Sequence, residues 1–314
     1  MKIAVMQSTG IYFSANKLVY SAFALLGLIW GTNFIFMKWA AVWITPAQIV
    51  LLRILFGFLP ILALATIRRS LEWSHLRYIH HFFMMALLAT SIYYFAFAKG
   101  TALLPSGIAG MLSGAIPLFS FLTAFVFLRQ EPINRYTLIG LVLGFAGVLL
   151  IARPWNSGAS AVNVEGVLYM LGGSLSVGCS FVYARRFLVP KEISPLALTT
   201  YQIGLALVVT WLFTDLNGIG RIQEDHIALT GLVVGLGLSG TGLAYVLYYF
   251  IVQHLGALKA AGVTYIPPVV ALFIGGLLVH EPLHNQDVIA MLLILCGVYA
   301  LQTGKRLVPI KPVQ

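Results

Sequence analysis

The chain has 314 residues, of which 60% are hydrophobic and only 9% are charged, and its mean hydropathy is +0.94. A soluble domain carries about 25% charged residues, so this composition excludes a soluble globular protein and indicates a polytopic membrane protein. The formal net charge of +10 comes mainly from basic residues in loops on one predicted side of the membrane, so it implies no nucleic-acid partner.

Stretches free of Asp, Glu, Lys and Arg predict the membrane spans, because a bilayer core about 30 Å thick needs about 20 helical residues. Nine uninterrupted stretches are long enough to cross, and a tenth is broken only by Arg53. No loop is long enough to hold a second domain. The predicted spans are 18–37, 46–67, 78–98, 100–128, 136–152, 166–184, 193–214, 227–258, 260–280 and 288–304.

The distribution of basic residues predicts the orientation. With the N-terminus inside, the cytoplasmic segments carry 14 Lys and Arg residues and the outer segments carry four. The positive-inside rule then places both termini in the cytoplasm, with tails at 1–17 and 305–314. No cleavable signal peptide is evident, because the first apolar run is of full spanning length. Cys179 and Cys296 both lie inside spans, which argues against a disulfide framework.

The first span carries Trp30 near its middle and Asn33 one helical turn later, on the same face. An indole N–H and an amide at that depth need polar partners, which lipid does not offer. This face is therefore predicted to look towards protein or a water-filled cavity. One reading is a substrate site, and the other is that Asn33 only bonds a neighbouring helix.

The second span begins at a turn, Thr45-Pro46, and contains Arg53, the only charge well inside a span. An Arg at mid-helix costs about 2.5–3.5 kcal/mol on insertion scales, which makes it a candidate for a functional residue. It could bind a substrate carboxylate or act in a gate. It could also be structural and bond helix-end carbonyls, since it lies within snorkelling reach of the outer end.

Spans three and eight carry tyrosines at mid-depth, namely Tyr93, Tyr94 and Tyr245. Together with Trp30 they could line an aromatic cavity for an amphipathic solute, or they could serve ordinary packing. Tyr248 and Tyr249 lie nearer the inner end of span eight, and we interpret both as residues of the interfacial aromatic belt.

Spans four and nine are interrupted by Pro117 and by Pro267-Pro268. Broken helices at matching positions of two halves point towards a transporter's binding region, although static kinks would give the same pattern. Ser113 and Tyr265 lie next to these breaks, and we include them among the candidate substrate contacts. Gly107, Gly110 and Gly114 signal close helix contact.

The two halves of the chain carry the same turn and helix-breaking residues at corresponding positions. At an offset of 150, Pro117 falls on Pro267 and Glu131-Pro132 on Glu281-Pro282. With small gaps, Gly31 falls on Gly178 and Thr45-Pro46 on Ser194-Pro195. Each copy contains five spans, an odd number, so the second copy must be inverted relative to the first. The predicted repeats are 18–152 and 164–304.

These motifs carry a family resemblance over about 18–303. The runs Leu28–Phe34, Thr45-Pro46, Leu52–Leu55 and Pro117–Phe119, followed by Glu131-Pro132 and a Gly-rich fifth span, resemble the EamA family of the drug/metabolite transporter superfamily. The resemblance implies ten helices in two inverted five-helix repeats, in a bacterial inner membrane, and export of amino acids, related metabolites or drugs. The second half departs from the pattern: Val177, Ser180 and Gln202 stand where the first half has Trp30, Asn33 and Arg53. A polar site weighted to the first half is therefore expected.

Two other motifs indicate no chemistry. His280–His284 matches the H-E-x-x-H zinc pattern, but Pro282 sits between the two histidines at a predicted helix end. Gly235–Gly240 matches G-x-G-x-x-G, but no strand precedes it and it lies inside an apolar run, where the glycines serve helix packing. The sequence therefore predicts no metal and no cofactor.

The sequence thus predicts an all-α secondary transporter, not an enzyme, that exports amino acids or similar metabolites by alternating access. A central cavity would be lined by spans one to four and six to nine, with spans five and ten bracing the periphery. A broad drug exporter is the first alternative, and a membrane metallo-enzyme is an alternative of another class. The partners implied are the lipid bilayer and a small-molecule substrate, and a monomer is left open as the functional unit.

Overall fold

The structure is a computed structural model that describes residues 2–128, 133–156, 162–255 and 260–306. Over these ranges the chain is helical or in short connections and contains no β-strand. Nine helical stretches within them are long and apolar enough to cross a membrane, and a shorter apolar helix covers 262–278. The prediction of an all-α polytopic membrane protein is confirmed.

We number the membrane helices α1 to α10 in chain order. Helix α1 begins at Lys2, so the predicted N-terminal tail is a helical extension of the first span. The predicted Glu131-Pro132 turn lies outside the described residues. The helices are α1 Lys2–Ala40, α2 Pro46–Ile67, α3 Trp73–Leu103, α4 Ser106–Leu128, α5 Arg135–Ala152, α6 Val164–Lys191, α7 Pro195–Phe213, α8 His226–Leu255, α9 Gly262–Leu278 and α10 Asn285–Arg306.

Because ten helices cross the bundle in alternating directions, the start of α1 and the end of α10 lie on the same side. We call the side where α1 begins and α10 ends the terminal face, and the other side the opposite face. On the opposite face lie the connections α1–α2, α3–α4, α5–α6, α7–α8 and α9–α10. The basic residues predict that the terminal face is cytoplasmic, and this orientation remains a prediction.

Matching turn signals start α2 and α7, the second helix of each half. Thr45 Oγ1 accepts from the Gln48 backbone N–H (3.4 Å), and Gln48 Oε1 accepts from the Thr45 N–H (3.0 Å). Ser194 Oγ accepts from the Ala197 N–H (3.2 Å) in the same way. Each is followed by a proline in the first helical turn, where a missing N–H costs nothing.

The halves pack against each other through equivalent contacts. A Cβ added to Gly31 of α1 would collide with the side chain of Val270 of α9, so the missing side chain of Gly31 lets the two helices approach. A Cβ added to Gly178 of α6 would lie 3.0 Å from the backbone nitrogen of Ser120 in α4. Val270 and Ser120 are also 150 residues apart. The same small-residue contact is therefore made once by each half.

The helices α4 and α9 are both interrupted on the N-terminal side of their prolines. In α4 the α-helical hydrogen bonding stops at Ser113 and resumes at Ile116, just before Pro117. In α9 the turn Ala261–Tyr265 is a tight 3₁₀-helix, and α-helix resumes at Ile266, just before Pro267-Pro268. A proline ring clashes with the carbonyl four residues earlier, and this places each break one turn before the proline.

Helices α5 and α10 pack along their length with almost no side chain between them. A Cβ added to Gly297 would lie 2.6 Å from the carbonyl oxygen of Gly140, and one added to Gly147 would lie 2.6 Å from the carbonyl oxygen of Ala290. At the opposite face the buried side chains of Arg153 and Asp287 form an ion pair. This pair of helices forms a close-packed seam between the halves.

Candidate functional site

A cavity of about 340 Å³ lies in the bundle, between the two halves of the chain. The structure places all eight predicted substrate contacts on its wall, and two of the three predicted break prolines, Pro117 and Pro267, line it as well. The third, Pro268, is buried and packs at Gly114. The eight are Trp30, Asn33, Arg53, Tyr93, Tyr94, Ser113, Tyr245 and Tyr265.

Arg53 is the polar centre of the wall and is only 5% exposed. Its Nε donates to Thr241 Oγ1 (3.1 Å), and its Nη2 lies 3.5 Å from the carbonyl oxygen of Gly240. The guanidinium carbon stacks 3.9 Å from the centre of the Tyr94 ring. Arg53 therefore faces the interior and does not snorkel to the helix end.

Asn33 joins α1 to this cluster. In the orientation that satisfies both ends of its amide, its nitrogen donates to the Ile29 carbonyl (3.2 Å) and its oxygen accepts from Arg53 Nη2 (3.2 Å). Asn33 thus bonds both its own helix and α2, and Gly240 of α8 leaves room for its side chain. The sequence left two roles open for Asn33, and its side chain fulfils both geometrically: it lines the cavity and it bonds a neighbouring helix.

The partners that the structure describes for Arg53 are all electrically neutral. Among the described residues, no ion pair includes Arg53. Its partners are a hydroxyl, a carbonyl, an amide and an aromatic face. A buried cation with no described anionic partner strongly favours an anionic ligand group, such as a carboxylate.

Aromatic rings form much of the remaining wall. Tyr93 packs against Tyr94 (5.1 Å between ring centres) and edge-on against Phe97 (4.5 Å). Trp30 packs on Tyr248 at 6.0 Å, and Tyr248 lines the cavity. The interpretation of Tyr248 as an interfacial belt residue is therefore wrong, because the ring turns inwards onto Trp30. Tyr249 is also partly buried, and its hydroxyl bonds Thr199 of α7.

The serine hydroxyls in the wall are oriented by their own helices. Ser113 Oγ donates to the Gly110 carbonyl (2.6 Å) and Ser120 Oγ to the Ile116 carbonyl (2.8 Å). Ser180 Oγ donates to the Val177 carbonyl (2.7 Å). Because each proton is used within the helix, the oxygen lone pairs remain to accept hydrogen bonds from a ligand.

The cavity wall is asymmetric between the halves. Val177 and Ser180 line the cavity where the first half presents Trp30 and Asn33. Gln202, at the position of Arg53, is buried away from the cavity and donates to Thr90 Oγ1 (2.8 Å). This bond mirrors Arg53–Thr241, since each joins the second helix of one half to a threonine in the other half.

The expected assignment of helices to the cavity needs one correction. The prediction had α7 in the wall and α10 at the periphery, but α7 contributes no lining residue, whereas α10 contributes Val298, Leu301 and Gln302. The physical reason is that the described parts of α4 and α9 beyond their breaks make few contacts with each other, so that α10 lines the cavity on that side. Gln302 Nε2 donates to the hydroxyl of Tyr265 there.

The cavity extends towards the terminal face and is closed at the opposite face. Its lining includes Ser120, which lies on the terminal side of the break in α4, and Thr264, which lies within the break of α9. On the other side of the breaks the two helices touch, with Gly110 of α4 against Ala271 of α9. Beyond the breaks, towards the terminal face, the described parts of α4 and α9 make few contacts with each other.

The zinc-like motif at 280–284 and the glycine motif at 235–240, for which the sequence predicted no chemistry, have structural roles. Residues 280–284 are not helical, and the Glu281 carboxylate accepts from backbone N–H groups of Ser106 (2.7 Å) and Gly107 (2.9 Å). The glycines of 235–240 lie in α8, where Gly235 packs on Phe36 and Gly237 on Phe56. Each motif is thus used for contact between helices.

Sequence reasoning missed Thr241 and Gln302. Thr241 could have been found through the repeat, because it lies one residue beyond the position that corresponds to Thr90, which shares a span with the mid-depth tyrosines. Gln302 gave no signal, since a single amide near the end of a span reads as an interfacial residue.

Comparisons with known proteins agree with this architecture. The model of the EamA-like transporter family matches the chain twice, at residues 17–153 and 164–303. The chain is 24% identical over 276 residues to an uncharacterized transporter of Archaeoglobus fulgidus, covering 88% of this chain and 95% of that protein. It is 27% identical over 276 residues to the uncharacterized transporter YoaV of Bacillus subtilis, covering 87% and 92% of the two chains.

Two further similarities extend the comparison. The uncharacterized inner membrane transporter YedA of Escherichia coli K12 is 29% identical over 212 residues, covering 67% of this chain and 66% of YedA. A solved structure described only as the crystal structure of a protein superposes with a TM-score of 0.59 at 19% identity, covering 91% of this chain and 98% of that one. At this identity the superposition establishes the fold alone.

Proposed function

Because the chain belongs to the EamA-like transporter family, we propose that it exports amino acids or related small metabolites by alternating access through the central cavity. A multi-pass membrane transporter of the EamA type is the starting point. The substrate class, the direction and the mechanism are the proposal.

The observation that carries the proposal is Arg53 in an aromatic cavity. A buried guanidinium with neutral partners gains most from a ligand carboxylate, which it can bind through two parallel hydrogen bonds. The cavity volume of about 340 Å³ lies at the lower end of the range of small-molecule sites, roughly 300–1,000 Å³. A metabolite of amino-acid size fits that space.

The rest of the wall supports an amphipathic substrate. The rings of Trp30, Tyr93 and Tyr245 offer apolar and π surface for a side chain, and π faces also attract an ammonium group. The serine oxygens at Ser113 and Ser180 can accept hydrogen bonds from that ammonium. Aromatic and other amphipathic amino acids match these three features together.

Alternating access fits the shape of the cavity. Towards the terminal face α4 and α9 make few contacts with each other, and the basic residues predict that this face is cytoplasmic. Substrate would then bind from the cytoplasm and leave after the opposite end has opened. Tagging each terminus and testing its accessibility in intact bacterial cells checks the proposed inner-membrane orientation.

A broad drug exporter is the alternative within transport. Lipophilic cations would favour an acidic residue in the wall, and among the described lining residues the ionic side chain is Arg53. The aromatic surface is the observation that favours this alternative. Resistance to lipophilic cations on expression, without resistance to amino-acid analogues, would select it over the main proposal.

The test is growth of an overexpressing strain across a panel of toxic amino-acid analogues. We expect resistance to a subset, lost in Trp30→Ala, Asn33→Ala and Arg53→Gln although membrane abundance is unchanged. Trp211→Ala is the matched control, because Trp211 is 59% exposed on the outer surface of α7. Gln202→Ala is a second control, since it changes the repeat mate of Arg53 outside the cavity. Full resistance in all three cavity variants would remove these residues from the site.

A further inference from the structure

At the opposite face, a carboxylate of the second half caps a helix of the first half. Glu281, just beyond α9, accepts hydrogen bonds from the Ser106 N–H (2.7 Å), the Ser106 hydroxyl (2.9 Å) and the Gly107 N–H (2.9 Å). Those groups begin α4, whose preceding residue, Pro105, makes no side-chain cap. The second half therefore supplies the N-terminal cap that α4 of the first half lacks.

Electrostatics favour this arrangement on both sides of the α3–α4 link. The N-terminus of α4 carries the positive end of a helix dipole and attracts the Glu281 carboxylate. The C-terminus of α3 carries the negative end, where Lys38 Nζ donates to the carbonyls of Ala102 (3.2 Å) and Leu104 (2.8 Å). Lys38 and Glu281 also attract each other as opposite charges. One short link is thus bound by α1 on one side and by the end of α9 on the other.

The packing under this cap is close but carries no bond of its own. A Cβ added to Gly275 of α9 would lie 2.5 Å from the Glu281 carboxylate and 3.0 Å from the Gly107 nitrogen. Gly110 and Ala271 touch one turn further in. Such small-residue contacts hold helices together through van der Waals packing, so among these contacts the directional ones are the hydrogen bonds to Glu281.

We propose that Glu281 is the latch of the opposite-face gate, and that its release from the amides of Ser106 and Gly107 accompanies opening of the cavity to that face. This rests on the alternating-access part of the proposed function. Water at the membrane surface would hydrate the freed amides and the freed carboxylate. This hydration lowers the free-energy cost of breaking their hydrogen bonds in the open state. The latch sets how much of the population stays closed.

The test uses thiol accessibility and needs no substrate. Met37 lines the cavity and is 2% exposed, at the opposite-face end of α1. In a background with Cys179→Ala and Cys296→Ala, Met37→Cys reports the gate when a membrane-impermeant maleimide is applied from the opposite face. We expect Glu281→Gln to raise the labelling rate by about tenfold, because it removes the charge-assisted character of the hydrogen bonds to the amides.

Two variants make the result specific. Ser106→Ala removes only the hydroxyl bond and should raise labelling by a smaller factor. Glu224→Gln is the matched control, since Glu224 lies at the same face in an exposed pair with Arg221 (3.8 Å) and should leave labelling unchanged. Gel filtration and thermal melting show whether each variant is folded, and Glu281→Asp replaces Glu281→Gln if the latter does not fold.

The outcomes separate the latch from the transport proposal. Unchanged labelling in folded Glu281→Gln or Glu281→Asp protein overturns the latch, and so does an equal rise in Glu224→Gln. Increased labelling together with an absence of amino-acid export would retain the latch and reject the proposed substrate class.

Discussion

Among the helix pairs that pack across the two halves of this protein, α5–α10 and α4–α9 are built in contrasting ways. Helices α5 and α10 touch along their length and are tied at both ends, by Arg153–Asp287 at the opposite face and by Asn134 Nδ2 donating to the Gly304 carbonyl (2.9 Å) at the terminal face. Among the described residues, helices α4 and α9 are tied at the opposite face and make few contacts with each other at the other end. The comparison contrasts a helix pair that is in contact at both ends with a pair that is in contact at one end, as the proposed alternating access requires.

The difference follows from where each pair places its breaks and its charges. The described residues of α5 and α10 form single α-helices, so their glycine faces stay in register. Each of α4 and α9 is broken before a proline near the middle of the membrane. The breaks therefore lie in the helix pair that the proposed alternating access would bend.

Asp287→Asn is the change expected to harm the seam most. It keeps the shape of the side chain but leaves the buried charge of Arg153 without its anion, a loss that typically costs about 3–5 kcal/mol. A large drop in the thermal unfolding temperature in detergent is expected. Glu224→Gln, in an exposed pair, should change that temperature little. Equal unfolding temperatures of the two variants would contradict the claim that the Arg153–Asp287 pair of the seam stabilises the fold.

Gly297→Ala should have the next largest effect. Its new methyl would lie against the backbone of Gly140 and Gly144, which cannot move aside as a side chain can. Overpacking of this kind typically costs about 1–3 kcal/mol. Gly172→Ala is the matched control, since nothing lies within 4 Å of a Cβ at that position. Thermal melting compares the two variants. An unchanged unfolding temperature in Gly297→Ala would mean that the seam can accommodate an extra methyl group.

Gly110→Ala makes the same change at the gate. Its methyl would meet Ala271, but these helices can separate, so the strain can be relieved by opening. We expect less than about 1 kcal/mol of lost stability and increased maleimide labelling of Met37→Cys from the opposite face. A stability loss as large as that of Gly297→Ala, with unchanged labelling, would show that the two pairs do not differ in this way.

Pro117→Ala should be the mildest change for the fold. It lets the α4 backbone donate a hydrogen bond across its break, so stability is expected to stay the same or rise slightly. The rate of export should fall, because a continuous helix bends less readily. Transport assays beside thermal melting check this, and an unchanged export rate would assign the break to static packing.

Several features of the site were predictable because they depend on local patterns. Trp30, Asn33 and Arg53 were recognisable as polar groups at membrane depth, where lipid offers no partner. The breaks in α4 and α9 followed from the chemistry of proline. Tyr248, by contrast, was wrongly placed in the aromatic belt, because distance along a helix does not reveal which way a ring faces.

Contacts between distant parts of the chain were beyond sequence reasoning. Glu281 reads as a helix-end residue, yet its carboxylate caps a helix 175 positions earlier. Gln202 occupies the position of Arg53 in the repeat, yet it bonds Thr90 outside the cavity. Equivalent positions in a duplicated fold need not face equivalent surroundings once their side chains have diverged.

The sequence by itself determined the membrane class, the helices and the duplication, because hydropathy, charge and proline act on the chain locally and within a few turns. Only the tertiary structure decided that α10 and not α7 completes the cavity wall, and that the described parts of α4 and α9 meet at one end and make few contacts with each other at the other. These outcomes depend on how two broken helices pack against eight others, and no local pattern encodes a choice between alternative packings of the same helices.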